Sequence, residues 1–408
     1  MKTVIRVQGP KDPVCLPQGF RFAIATAGIK ASGKPDLALA EAAPGSAAAA
    51  LFTRNRAAAA PVQIGRRHLA ACRGRLRYVM VNSGNANAGT GAAGLAAAEA
   101  CCAALAERLG VSARIVLPSS TGIIGVPLPA GKIKAAIPAL ARSLAEGESA
   151  LRAFGRGIMT TDLRPKLASA SFKVRGKTVS LAGVVKGAGM IHPNMATMLA
   201  YIFTDAAACP AELRAHLKAA ADLSFNAISV DGDTSTNDTV VLLASGRSGV
   251  TLADPGARKP FCAALQAVCR SLAEQIVRDG EGAQHLVRLR IAGAGSAAEA
   301  RAAARQIANS PLVKTSWTGC DPNWGRLFAM LGNTGYAFGP DRASIAIGPH
   351  RVYSKGKALA FDRKAAHKLM QGAEYTIRVD LGRGRAELEF LTCDLTHEYI
   401  RINAEYST

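Results

Sequence analysis

The sequence has no apolar run approaching the roughly 18 residues that span a bilayer, and its first residues do not read as a charged segment followed by an apolar one. A cytoplasmic, non-membrane protein is the expectation. Its nine cysteines (Cys15, Cys72, Cys101, Cys102, Cys209, Cys262, Cys269, Cys320 and Cys393) form no C-x-x-C pair and match no histidine spacing. That pattern argues against a zinc site and against a disulfide framework, and predicts free, mostly buried thiols. Aromatic residues are only 5% of the chain, and there is no Lys/Arg tract despite a formal charge of +21. The charge comes in short scattered groups such as Arg66-Arg67, Arg73, Arg75 and Arg77, and Arg383 and Arg385. Without aromatic stacking partners or a continuous basic stripe, nucleic acid is not the expected ligand; a solvated basic face that draws small anions is.

Internal repeats, low-complexity segments and Pro/Ser-rich joints are absent too. What is present is a globular composition, 49% hydrophobic and 19% charged over 408 residues, long enough for two domains or two halves of a layered one. The Ala/Leu/Glu-rich segment 91–110 predicts a helix closed by Gly110, set between apolar runs of strand length at 76–81 and 113–117. Further strands are expected at 177–185, 198–203, 239–244 and 286–291. Helices are expected at 210–223, 258–277 and 297–308, the last opened by the capping box Ser296-x-x-Glu299. A hairpin is expected from 375–381 and 385–393 through Gly382-Arg383-Gly384. This alternation predicts layered α/β architecture.

The most telling stretch is Lys186-Gly187-Ala188-Gly189-Met190 through Asn194-Met195-Ala196-Thr197, because it sets one threonine between a glycine-rich turn and an apolar run. Scission between Ala196 and Thr197 would leave Thr197 with a free α-amine, ordinary pKa about 7.7–8.0, beside its own hydroxyl. One residue then supplies nucleophile and base. His192, five residues earlier, invites a Ser/His/Asp reading, but an α-amine base removes the need for it and a structural role before proline is expected.

Four polar clusters interrupt the apolar chain: Asn82–Asn87, Ser119–Gly125, Thr160-Thr161-Asp162 and Asp231–Asp238. Each lies where a scaffold presents loops, though each is also explained as a turn satisfied by its own Asx and Ser/Thr hydrogen bonds. Thr121-Gly122 has a specific use, since glycine lets the backbone approach a ligand and the pair can stabilise an oxyanion; a tight turn is the simpler alternative. Asp231–Asp238 carries three carboxylates but lacks the glycine and glutamate of a calcium loop, so no metal is assigned.

Taken in order, these motifs make the chain resemble the ornithine acetyltransferase, or glutamate N-acetyltransferase, family. The resemblance runs from Gly19-Phe20-Arg21 through Asn82–Ala88, Ser120–Gly125, Thr160–Lys166, Lys186–Leu199, Ser224–Thr239, Asp279–Ala283 and Leu312–Arg326 to Ile402–Thr408. It implies a layered α/β sandwich with buried sheets, similar to N-terminal-nucleophile hydrolases but differently connected. It also implies self-cleavage into an α chain, 1–196, carrying the oxyanion donors, and a β chain, 197–408, beginning with the nucleophile; the chains pair into a heterotetramer of two of each. The implied reaction moves acetyl from N-acetyl-ornithine to glutamate in the cyclic route of arginine biosynthesis. No metal or organic cofactor is implied, and acetyl-CoA is left open as a second donor. Carried over by position, Thr197 is the nucleophile and Thr121 and Gly122 are the oxyanion donors. Thr160, Thr161, Lys186, Thr197, Glu281, Asn403 and Thr408 are the substrate contacts. Departures fall at Gly89, Leu163-Arg164 and Gln284-His285, which bear on substrate preference. The alternative on similar architecture is an aminopeptidase or amidase, with water in place of glutamate.

Overall fold

In the computed structural model, residues 6–192 and 198–405 are described. The chain gathers into two compact units: Met1–Gly187, Asn194–Ser224 and Thr234–Ala273 form the first, and Ala188–Pro193, Phe225–Asp233 and Glu274–Thr408 the second. This partition is not the division at 196/197. The strand Leu199–Thr204, which follows the proposed cut, lies between Lys177–Lys186, antiparallel, and Thr239–Ala244, parallel, in one sheet of the first unit.

That unit is built as helix, sheet, sheet, helix. Its six-stranded sheet runs in the order Arg6–Gln8, Lys166–Val174, Lys177–Lys186, Leu199–Thr204, Thr239–Ala244 and Ala47–Phe52; the four-stranded sheet runs Phe20–Ala25, Leu37–Ala42, Tyr78–Asn85 and Val116–Ile123. Side chains alternate across a strand, so each sheet can offer every second residue to a common core. Phe20, Phe22, Ala38, Ala40, Val79 and Val81 from one sheet meet Ala182, Val184, Tyr201, Phe203, Val241 and Leu243 from the other, with Leu151 and Phe154 of the helix Glu148–Gly157 among them. Several aromatic rings meet here. Phe203 stands edge-on to Phe20 and Phe22 at centroid distances of 5.2 and 4.9 Å, a geometry favoured by the ring quadrupoles.

On the outer side of the four-stranded sheet, Leu37, Leu39, Tyr78, Met80 and Val116 pack against Cys101, Cys102 and Leu105 of Gly91–Leu109 and against Ile133, Ile137 and Leu140 of Ala130–Arg142. The first of these helices ends as its sequence predicts, with Gly110 at φ 64°, a conformation costly for residues with a Cβ. On the outer side of the other sheet, Gly183 leaves room for Leu272 and Val268 of the helix Pro255–Arg278; an added Cβ would come within 2.9 Å of Leu272.

The second unit is a seven-stranded sheet in the order Ile228–Ser229, Ala386–Cys393, Leu286–Ala294, Glu374–Asp380, Ser344–Ile347, His350–Ser354 and Lys357–Ala358. The helices Ala297–Ala308, Pro311–Thr318 and Trp324–Leu331 pack on it through Ala300, Ala304, Ile307, Val313, Trp317 and Leu327. Ser296 caps the first of these, accepting from Glu299 N–H at 3.1 Å, while the Glu299 carboxylate turns back to Gly295 N–H at 2.9 Å.

Two expectations need correcting. Glu374–Asp380 and Ala386–Cys393 do not form a hairpin: Leu286–Ala294 lies between them, parallel to the former and antiparallel to the latter. The Gly382-Arg383-Gly384 turn passes over its end, where Arg383 and Gly384 N–H donate to Gly293 C=O. Local alternation and turn chemistry describe two strands and a reversal but carry no information about a third strand admitted between them. The run expected as a strand at 113–117 is a 3₁₀ turn over Ala113–Ile115, and the strand is Val116–Ile123. The thiols are free, and only Cys209 is exposed.

Candidate active site

The strands Tyr78–Asn85 and Val116–Ile123 pair in parallel with Asn82 opposite Ser120, Ser83 opposite Thr121 and Gly84 opposite Gly122. Two of the polar clusters are therefore the adjacent C-terminal ends of neighbouring strands, the place where open α/β sheets bind ligands. Side chains lock them together. Ser120 Oγ donates to Asn82 Oδ1 at 2.6 Å, and Asn82 Nδ2 donates to Asn85 C=O at 2.8 Å. Asn237, from the third cluster, donates its Nδ2 to Ala86 C=O at 2.7 Å and Ser120 C=O at 2.8 Å.

Within this frame Gly122 has φ 132°, and a Cβ there would sit 2.3 Å from the Gly84 carbonyl carbon and 2.5 Å from Asn85 N. No other residue fits both the dihedral and the neighbouring backbone. Thr121 is buried, and its Oγ1 accepts from the Lys186 ammonium at 3.1 Å. Lys186 closes the strand Lys177–Lys186 and is 5% exposed, so its charge lies in a region of low dielectric.

Asp162 organises the opposite side. Its Oδ1 accepts from Lys166 Nζ at 2.6 Å and from Gly187 N–H at 2.7 Å, and its Oδ2 accepts from Thr160 N–H at 3.0 Å. One carboxylate thus pins the Thr160-Thr161 turn to the start of the glycine-rich turn. Burial would push this carboxyl upward, but the Lys166 and Lys186 ammoniums and the Gly187 N–H outweigh it and hold the pKa at about 2. Lys30, whose Nζ donates to Met159 C=O at 2.8 Å, completes the cluster; burial lowers its pKa, and Lys186 pushes in the same direction while Asp36 opposes it.

Glu281 and Asn403 belong to the second unit, where they meet: Asn403 Nδ2 donates to Glu281 Oε2 at 3.0 Å. Glu281 N–H donates to Ala188 C=O at 3.0 Å, and a Cβ on Gly189 would come within 2.4 Å of Glu281 Oε2. Glycine at 189 is what admits the carboxylate to the turn. Asp231 holds the same turn from its other end, accepting from Met190 N–H at 2.5 Å and Ile191 N–H at 2.9 Å, with Met190 at φ 56°. Burial lifts Asp231 to about 6 against those two bonds. His192 meets the Asn309 amide through Nδ1 at 3.0 Å.

The site residues expected from sequence thus resolve into Thr121, Gly122, Thr160, Thr161 and Lys186 in the first unit and Glu281 and Asn403 in the second. Ala196, Thr197 and Thr408 lie outside the described residues. The residues not foreseen as participants are Lys30, Asn237, Asp238 and the anchor Asp162. All but Lys30 sit inside clusters visible in the sequence, but nothing local distinguishes a carboxylate pinned between two lysines from one capping its own turn. Among the described residues, no group of three or more His, Cys, Asp or Glu gathers as a metal site would require.

Layered sheets, with a threonine-glycine step at a strand end bonded to a buried lysine, define an α/β protein. The chain belongs to the ArgJ family, which matches residues 21–408. It is 47% identical over 402 residues to the arginine biosynthesis bifunctional protein ArgJ of Methylococcus capsulatus, covering 97% of each chain. With the protein of that name from Pseudomonas fluorescens it is 43% identical over 408 residues, covering 98% of this chain and 99% of the other. Among solved structures it is similar to ArgJ from Bacillus halodurans, with 40% identity and a TM-score of 0.49 over 50% of this chain and 98% of that one. It is also similar to ornithine acetyltransferase from Mycobacterium tuberculosis in complex with ornithine, with 38% identity and a TM-score of 0.43 over 47% and 99%.

Proposed function

We propose that the chain is a self-processing acetyltransferase that moves acetyl from N-acetyl-ornithine to glutamate through an acetyl-threonine intermediate. The reading rests above all on one observation: a member of the ArgJ family carries Thr121-Gly122 at a strand end with the Lys186 ammonium bonded to the Thr121 hydroxyl. Because Oγ1 accepts from Lys186, its own proton points elsewhere and is available to a developing oxyanion. Gly122 brings its backbone to the same place.

In maturation, Thr197 Oγ attacks the Ala196 carbonyl, the amide becomes an ester, and water releases the new N-terminus. In turnover the α-amine of Thr197 takes the Oγ proton as Oγ attacks the acetyl carbonyl. The ammonium then returns that proton to the departing amine of ornithine, and the amine of glutamate attacks the acetyl ester in the second half-reaction. Lys186 pairs with a substrate α-carboxylate. Thr160, Thr161, Glu281, Asn403 and Thr408 are the further substrate contacts, Glu281 meeting an ammonium group or handling a proton. The reaction proceeds without a metal or organic cofactor, and whether acetyl-CoA also donates acetyl to glutamate is decided by assaying that reaction directly. The mature protein is a cytoplasmic heterotetramer of two α and two β chains.

Denaturing electrophoresis tests the first step: two pieces of similar length, the second beginning at Thr197, are expected, and a single full-length band counts against the reading. Initial rates test the second. Parallel lines with both substrates varied are expected from a ping-pong reaction, and intersecting lines exclude the acetyl-enzyme. Ornithine release that depends on glutamate separates transfer from hydrolysis.

A further inference from the structure

A cavity of about 500 Å³ in the second unit shares no residue with those assigned to acetyl transfer. Its lining includes His192, Arg305, Gln306, Asn309, Ser310 and Pro311. The polar groups there are a guanidinium, two amides, an imidazole and a hydroxyl, and no carboxylate stands among them. Its size is that of a pocket for a small metabolite.

Arg305 is the unusual member. It stands in the last turn of the helix Ala297–Ala308, half-buried, and among the described residues its side chain has no ion pair. Its Nε is enclosed and has no hydrogen-bond acceptor. The charge that acts on it is Arg301, one turn earlier and of the same sign; burial first, and then Arg301, lower its pKa. A guanidinium stays protonated regardless, so the fold holds here a fixed positive charge that it does not balance. The helix C-terminus favours a cation, but that field requires neither an enclosed Nε nor a cavity beside it. The surroundings add to the same sign. Ser310 caps the helix Pro311–Thr318, accepting from Val313 N–H at 3.3 Å, so Ser310 and Pro311 bring the positive end of that helix to the cavity wall. Asn309 is held in place by Ser229 Oγ at 2.6 Å and His192 Nδ1 at 3.0 Å. Burial and then the Arg305 guanidinium lower the His192 pKa, against Asn309 and Asp233, so the imidazole registers the same unbalanced field.

We propose that this cavity binds the oxyanion of a small metabolite, a carboxylate or a phosphate, with Arg305 as its anchor. With Nε enclosed, the anion meets the terminal nitrogens, which offer two parallel N–H donors to two oxygens. The Gln306 and Asn309 amides supply neutral donors beside them, and the absence of a carboxylate from the lining leaves nothing to compete for the guanidinium. The inference stands apart from acetyl transfer, since it uses none of the residues assigned to that reaction.

The test is calorimetric titration of the full-length protein, in low-salt chloride buffer, with inorganic phosphate and separately with succinate. Wild type is compared with Arg305→Gln and with Arg385→Gln, which removes one exposed charge outside the cavity. At least one of the two anions should bind wild type and Arg385→Gln alike, and Arg305→Gln should weaken that binding by about tenfold or more. Tighter phosphate marks a phosphoryl ligand and tighter succinate a carboxylate one. Failure of both anions to bind wild type overturns the assignment, and so does a smaller loss in Arg305→Gln, which would place the anion elsewhere on the basic surface. If Arg305→Gln does not fold, Arg305→Lys decides, because it keeps the charge and loses the fork: affinity lower by about threefold or more supports the assignment, and affinity closer to wild type than that overturns it.

Discussion

Single residues here serve position and chemistry together, and substitutions separate the two. Thr121→Val keeps the shape and removes the hydroxyl that Lys186 orients; kcat should fall about 100- to 1000-fold with little change in melting temperature. Gly122→Ala should behave differently. Its Cβ would collide with the backbone of Gly84 and Asn85, so activity and thermal stability should fall together, read by differential scanning calorimetry beside an acetyl-transfer assay. Asp162→Ala strips Lys166 and Lys186 of their common carboxylate, and breaking such a buried arrangement typically costs about 3–5 kcal/mol. The pH dependence has a definite sign. The folded pKa of Asp162 is depressed to about 2 from an unfolded value near 3.9, so its stabilisation is fully present above about pH 4 and is lost as the pH falls toward 2. Denaturant midpoints measured across that range should fall in the wild type, with the contribution of this group missing from Asp162→Ala.

At the scale of elements, the helices show how far local chemistry reaches. Gly91–Leu109 ends at a left-handed Gly110, and Ala297–Ala308 begins at the Ser296 cap, both where the residue pattern places them. Ser296→Ala should cost about 1 kcal/mol, seen as a lower urea midpoint at unchanged slope. The strands are less self-sufficient. Thr239–Ala244 is legible to its boundaries from composition, yet the pairing of Glu374–Asp380 and Ala386–Cys393 is decided by Leu286–Ala294, about eighty residues away in the chain, entering between them. A strand's partner depends on which other apolar face is free to bury against it, and no window of sequence contains that information.

For the whole molecule, the sheet that crosses the 196/197 division makes a prediction about the processed protein. Leu199–Thr204 is hydrogen-bonded on one edge to Lys177–Lys186 and on the other to Thr239–Ala244, and Ala47–Phe52 lies beyond the latter. Two pieces divided at 196/197 would therefore share one core. They should co-elute in size-exclusion chromatography and separate only in denaturant; pieces that part under native conditions would contradict a cut within this sheet.

The residues that the proposed chemistry uses stand out by type and spacing: a threonine after a glycine-rich turn, a threonine-glycine step after a strand, and polar clusters set in an apolar chain. These are local properties, set by the conformations glycine permits and by the hydrogen bonds small side chains make with their own backbone. The tertiary structure alone decided which clusters converge. Asn237 ties the loops of two other strands, Asp162 collects two lysines and a distant turn, and Asp238 reaches Met198 across forty residues. Such groups keep their charges and donors away from water only when the sheets have closed around them, and burial, which gives each contact its strength, is a property of the packed layers and not of any segment.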